Sequence, residues 1–179
     1  MTTGSEQVRV WDPLVRIFHW GLVTMVLVAW ITHEGPALVH DGAGYVALAL
    51  VSFRLVWGVV GSEHARFTSF IRSPGVMLDY ARRLRAGTEP RYLGHNPLGG
   101  WMILALLATA FGASLTGWLL TTDRFWGVAW VELSHGLLAD LILILAALHV
   151  AGVVLTSRRH KESLIAAMFH GQKARDPQR

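Results

Sequence analysis

The sequence contains no cysteine. Disulfides, iron–sulfur ligation, thiolate catalysis and covalent cofactor attachment through C-x-x-C-H are therefore excluded. Charge is also scarce: Asp, Glu, Lys and Arg make up 16% of the chain, against roughly 25% in soluble domains. No segment alternates apolar and polar residues as a half-buried strand would. No nicotinamide or flavin motif is present, and no internal repeat or low-complexity stretch.

What the chain does have is apolar residues, 53% of its 179, gathered into four runs at about 14–32, 40–61, 97–122 and 133–157. Each reaches the ~20 residues that a helix needs to cross a bilayer. Helices also satisfy their own backbone in lipid, so the runs predict an all-α membrane protein: a four-transmembrane-helix bundle forming a single domain over 1–179. The first run is long enough to span and is read as a retained helix, not a cleaved leader. Glu34-Gly35-Pro36 marks a short first connection. The second connection, about 62–96, is basic, and Pro74 to Arg85 within it predicts a short helix on the membrane surface.

Four spans put both termini and the second connection on one side. That side holds 15 of the 16 Lys and Arg residues, and the other holds only Arg124. The positive-inside rule places the crowded side in the cytoplasm. The net charge of +4 thus reads as topology and lipid headgroup contact, and no nucleic-acid partner is expected.

Ionisable residues inside apolar runs are costly and mark function. Four histidines qualify: His19, His40, His135 and His149. His135 and His149 share the fourth run and stand fourteen residues apart, two heptads, which returns a side chain to nearly the same face about 21 Å along the axis. The topology puts His19 and His149 near the cytoplasmic level, and His40 and His135 near the outer level. Each level thus offers two imidazoles from two helices, the arrangement that holds a haem iron from both sides and lets two haems stack in a bundle. His33, fourteen residues after His19, reaches the outer level too and could replace His40, although Gly35 and Pro36 argue that its helix has ended. Polar packing between helices is the plain alternative for any one histidine. A zinc site is poorly served by two nitrogens with no carboxylate or thiolate. His64, His95, His160 and His170 fall in basic segments and read as solvated or headgroup-facing.

Other residues could support such a site. Gly44 lies one turn after His40, where a missing side chain lets a flat ring approach; Gly21 and Gly152 fit helix packing better. Arg54, fourteen residues after His40, could pair with a haem propionate or snorkel to headgroups, and Arg16 offers the same choice with snorkelling preferred. Asp140 could relay protons or simply accept a hydrogen bond from Ser or Thr.

Several pieces then occur in a specific order: RIFHW around His19, H-x-x-x-G at His40 followed by FRLVWGVVG, ARFTSFIRSP, LGHNPLGG, and the histidine pair in SHGLLADLILILAALH. In these, along essentially its whole length, the chain resembles the bacterial cytochrome b561 and nickel–iron hydrogenase b-type cytochrome family. The resemblance implies two b-type haems enclosed by the bundle, with His19 and His149 on the inner iron and His40 and His135 on the outer. It prefers His40 to His33. It also implies electron transfer in the cytoplasmic membrane between a quinone pool and a periplasmic c-type cytochrome or hydrogenase. The alternative is a stand-alone oxidoreductase acting on a small substrate such as superoxide, with quinone as the other partner. Whether two copies pair as a homodimer is left open.

Overall fold

The computed structural model describes residues 6–175; Arg179 of the basic tail lies outside them. The order is β1 (Gln7–Arg9), α1 (Pro13–Ile31), α2 (Ala37–Val60), α3 (Phe67–Phe70), α4 (Pro74–Ala86), α5 (Pro97–Leu120), α6 (Ala129–Arg159), α7 (Leu164–His170) and β2 (Gln172–Ala174). The four long helices α1, α2, α5 and α6 match the four apolar runs and are each long and apolar enough to cross a membrane. The protein is a helical, multi-pass membrane protein.

Helix α6 departs most from its expected bounds, starting at Ala129 and ending at Arg159. Glu132 lies in its first turn and Arg158 and Arg159 in its last. Both signs complement the helix dipole, so charge at the ends extends the helix beyond its apolar run.

The chain forms two compact units. Among the described residues, the first comprises 6–16, 57–103 and 148–175. Here β1 and β2 pair antiparallel, with Gln7 opposite Ala174. Gly171 precedes β2 at φ 83°, and its carbonyl accepts from the amides of Val10 and Trp11. A Cβ at Gly171 would lie 2.5 Å from the Trp11 carbonyl oxygen, so both the backbone and the contact require glycine. Val10, Trp11 and Ala167 are buried together against Met168. The expected helix in the second connection is α4, whose Tyr80 is buried and stacks edge-on with Tyr92 at 5.7 Å. Burial and the nearby Glu89 push the Tyr80 hydroxyl up to about 12.

Ion pairs hold this unit. Glu162 pairs with Arg91 at 2.8 Å and with Lys173 at 2.9 Å. Lys173 is 5% exposed, and burial pushes its ammonium below the ordinary value even though Glu162 opposes that. Arg159 pairs with Glu89 at 3.1 Å, and Arg175 with Glu6 at 2.9 Å. Asp12 caps the start of α1, accepting from the Val15 amide at 2.8 Å, from the Trp57 indole at 3.1 Å and from the Ser62 hydroxyl. Burial works to raise the Asp12 carboxyl, but those hydrogen bonds outweigh it and hold the group below its ordinary value.

The second unit comprises residues 17–56 and 104–147. It takes one stretch from each of α1, α2, α5 and α6, and so is a four-helix bundle. Val51 is fully buried in it, with Ala43, Ala47, Leu107, Ala110 and Ala113 nearly so. Small residues dominate because close backbone approach, not the hydrophobic effect, drives helix packing in lipid. A Cβ at Gly21 would meet the Leu50 side chain at 3.3 Å, which agrees with packing at that position.

A histidine pair braced by four helices

Within the second unit, His40 of α2 and His135 of α6 come together. Their ring centres stand 6.1 Å apart, with the planes at 83°. Each ring is fixed by a different neighbour. His40 Nδ1 donates to the Ala29 carbonyl of α1 at 2.9 Å, and His135 Nδ1 donates to the Ala113 carbonyl of α5 at 3.0 Å. Thr116 supports the second brace, donating to the Ala113 carbonyl at 3.0 Å and to the Gly112 carbonyl at 2.8 Å. All four helices therefore contribute: two supply imidazoles and two supply the carbonyls that orient them.

The bracing has a chemical consequence. A carbonyl can only accept, so each Nδ1 carries a proton, and in the neutral imidazole Nε2 is then the nitrogen with the free lone pair. That tautomer, with the far nitrogen bonded to a backbone carbonyl, is the one that metal-ligating histidines adopt. Two imidazoles gripping one ion from opposite sides, with metal–nitrogen bonds of about 2 Å, have ring centres roughly 6 Å apart. Among the described residues no cluster of three or more His, Asp or Glu could hold a metal, so a cofactor that brings its own equatorial ligands suits this donor set, as a haem does.

The surroundings leave room for a flat ring. A Cβ built on Gly44 would meet nothing within 4 Å. On the other side, a Cβ on Gly117 would lie 3.0 Å from His135 Cε1, so Gly117 lets the imidazole lie against α5. Arg54 is 3% exposed; burial this complete argues against snorkelling to headgroups. His33 lies in the turn after α1, where its Nδ1 donates to the Trp30 carbonyl at 2.7 Å and its side chain is 60% exposed. That position favours His40 over His33 as a site residue.

His19 and His149 fall in different units. His19 is half-buried in the second, its ring edge-on to Trp20 at 4.9 Å. His149 is half-buried in the first, on α6. Arg16, also in the first, donates from Nη1 to the Phe169 carbonyl, which ties α7 to the start of α1. Gly152 meets nothing within 4 Å, so the packing role expected of it is not seen. Asp140 is exposed on α6, and among the described residues no Ser or Thr donates to it.

His95 differs from its solvated reading. Its ring sits between Trp11 at 4.5 Å and Phe70 at 4.8 Å, beside a cavity of about 140 Å³ that Glu63, His64 and Tyr92 also line. The partners are distant in sequence, so nothing near His95 announces them. The carbonyl braces of Ala29 and Ala113 are equally silent, because every residue has a carbonyl.

A family model described as prokaryotic cytochrome b561 matches residues 10–171. The chain belongs to that family. Among curated relatives, the "Probable Ni/Fe-hydrogenase B-type cytochrome subunit" of Azotobacter vinelandii is 23% identical, with 94% of this chain and 91% of that protein covered. The protein of the same name from Rhizobium leguminosarum bv. viciae is 22% identical, covering 94% and 89%. No solved structure matches. Membership makes this a membrane electron-transfer protein of the b-type cytochromes, and the haem b that the family implies is a group that the His40–His135 donor set fits.

Proposed function

We propose that this protein is a di-haem b-type cytochrome that passes electrons across the bacterial cytoplasmic membrane, between a quinone pool and a periplasmic redox partner such as a c-type cytochrome or a hydrogenase. The observation that carries the reading is the His40–His135 pair, with both Nδ1 protons committed to backbone carbonyls. A haem b supplies a reversible one-electron iron couple when bound. His40 and His135 would hold the outer one, and the carbonyls of Ala29 and Ala113 would keep both rings oriented. Gly44 leaves that haem its space, and Arg54, fourteen residues further along α2, would balance a propionate of the inner haem. His19 and His149 serve as the inner ligands on the strength of their depth in the sequence and the family match. Two imidazoles per haem would leave the iron no open position, which suits electron transfer over oxygen binding.

The excess of Lys and Arg on the side of the termini supports a cytoplasmic location for both. The names of the relatives support a hydrogenase as one class of outer partner.

The test is a reduced-minus-oxidised spectrum with a haem assay on the purified protein. Two b haems per chain are expected. Removal of His40 should delete one and leave the other, and Gly44→Leu should weaken the same haem without unfolding the bundle. Two haems per chain that survive loss of both His40 and His135 would refute the outer site.

A further inference from the structure

The two carbonyls that hold the histidine pair are not equivalent acceptors. Ala29 stands in the last turn of α1, which ends at Ile31. The last four carbonyls of a helix have no intrahelical donor and carry its negative pole. The Ala29 carbonyl therefore meets the His40 Nδ1 proton with its acceptor strength intact, at 2.9 Å. Ala113 instead lies inside α5, where the helix ladder already engages its carbonyl. The His135 Nδ1 proton reaches that carbonyl at 3.0 Å, and so does the Thr116 hydroxyl, at 3.0 Å.

Thr116 is what crowds the second brace. Its Oγ1 also lies 3.4 Å from His135 Nδ1, so hydroxyl, carbonyl and imidazole form a triangle with sides of 3.0, 3.0 and 3.4 Å. A hydroxyl within a helix ordinarily bonds the carbonyl one turn back, as Thr24 does to Trp20 and Ser134 to Trp130. Thr116 does the same to Gly112, but its second contact falls on the carbonyl that the α6 imidazole uses. A carbonyl oxygen has two lone pairs, and here the ladder amide, the imidazole and the hydroxyl are three donors. Donors that share an oxygen draw on the same electron density, so each bond is weaker than it would be alone.

We propose that Thr116 is a positioning residue that raises the reduction potential of the outer haem, by sharing the carbonyl that braces His135. The proposal rests on the haem site proposed above for His40 and His135. A stronger acceptor at Nδ1 makes a histidine a more basic ligand, and a more basic ligand favours the oxidised iron. Hydrogen bonding around the ligands is one of a protein's levers on potential. His40, held by the open end of α1, is the richer donor of the pair. His135, held by the crowded carbonyl, is the poorer, and the Thr116 hydroxyl keeps it so. The two imidazoles are alike in chemistry yet electronically unequal, and the inequality is written in the helices behind them.

Redox titration of the purified, haem-loaded protein reads the effect, on the spectral component that His135→Ala removes. Thr116→Val keeps the shape of the side chain and deletes the hydroxyl. At the parent's midpoint it should lower the reduced-to-oxidised ratio of that component about threefold, or about 30 mV at ~59 mV per tenfold for one electron. Thr116→Ser returns the donor and should return the potential. Ser134→Ala removes a hydroxyl beside His135 in sequence, but one bonded to the Trp130 carbonyl, and should move nothing. A Thr116→Val protein with both haems and an unshifted or raised outer potential would overturn the proposal and leave the haem site standing. So would a shift that Thr116→Ser does not reverse, or that Ser134→Ala matches. Loss of the outer haem in both Thr116→Val and Thr116→Ala would make the hydroxyl structural and overturn it as well. If His135→Ala removes no haem, the site itself fails, and the role of Thr116 fails with it.

Discussion

The two units differ in how they satisfy their polar groups: among the described residues, only the first adds buried ion pairs to side-chain bonds with carbonyls. In the bundle of residues 17–56 and 104–147, hydroxyls and imidazoles bond to helix carbonyls: Thr24 to Trp20 at 2.9 Å, Ser134 to Trp130 at 2.7 Å, and the two histidines as described. In the first unit, charged side chains bond to each other, with Glu162 between Arg91 and Lys173. The difference follows from the solvent. Lipid offers no hydrogen bonds, so neutral groups borrow the backbone. Where water is the alternative, a charge can be buried if a counter-charge is buried beside it. The bundle is thus fastened through helix carbonyls and the other unit through ion pairs.

Four substitutions test this contrast. The largest effect is expected from His135→Ala, which should halve the haem content while the ion-paired unit keeps its structure; a haem assay and hydrogen exchange read the two separately. Glu162→Ala should act the other way. It strands Lys173, whose side chain is 3% exposed, and a buried charge without its partner costs about 3–5 kcal/mol. Exchange protection should fall in α7 and β2, with the spectrum of the haem at His40 and His135 unchanged. If that spectrum collapsed as well, the contrast between the units would not hold.

Asp12→Ala comes next, at about 1–2 kcal/mol for a lost cap and its side-chain bonds. Its pH behaviour has a definite sign. The folded carboxyl lies below its ordinary value of 3.8. Its contribution is therefore complete above that pH and is lost as pH falls through the lower folded value. Acid titration of Trp57 fluorescence should show this loss, and Asp12→Asn should abolish it. The smallest effect belongs to Arg175→Ala. The Arg175–Glu6 pair is about two-thirds exposed on both sides, and such pairs contribute about 0–1 kcal/mol. Thermal unfolding should barely move.

The bundle was largely legible in the sequence, and the ion-paired unit was not. Apolar runs at 14–32 and 97–122 became α1 and α5 within two residues at each end, because a bilayer imposes a minimum length that composition records directly. The meeting of His40 with His135 followed from topology alone. The braces at Ala29 and Ala113 could not be read, since backbone acceptors leave no trace in residue type. The paired ends at Gln7 and Ala174 and the stacking of His95 depend on contacts between distant polar stretches, and periodicity carries no information about those. Asp140 was visible as an oddity, but only the structure shows that it is exposed on α6.

The pairing of β1 with β2 has a consequence in time. Gln7 leaves the ribosome before any of the four long helices, yet its partner Ala174 follows all of them. At the usual ~5–20 residues per second, roughly ten to thirty seconds separate the two. Throughout that interval the leading strand has no mate, while all four long helices are already being delivered to the membrane. The clasp therefore closes only after all four long helices have been made, and a chain that stops short of Gln172 never closes it.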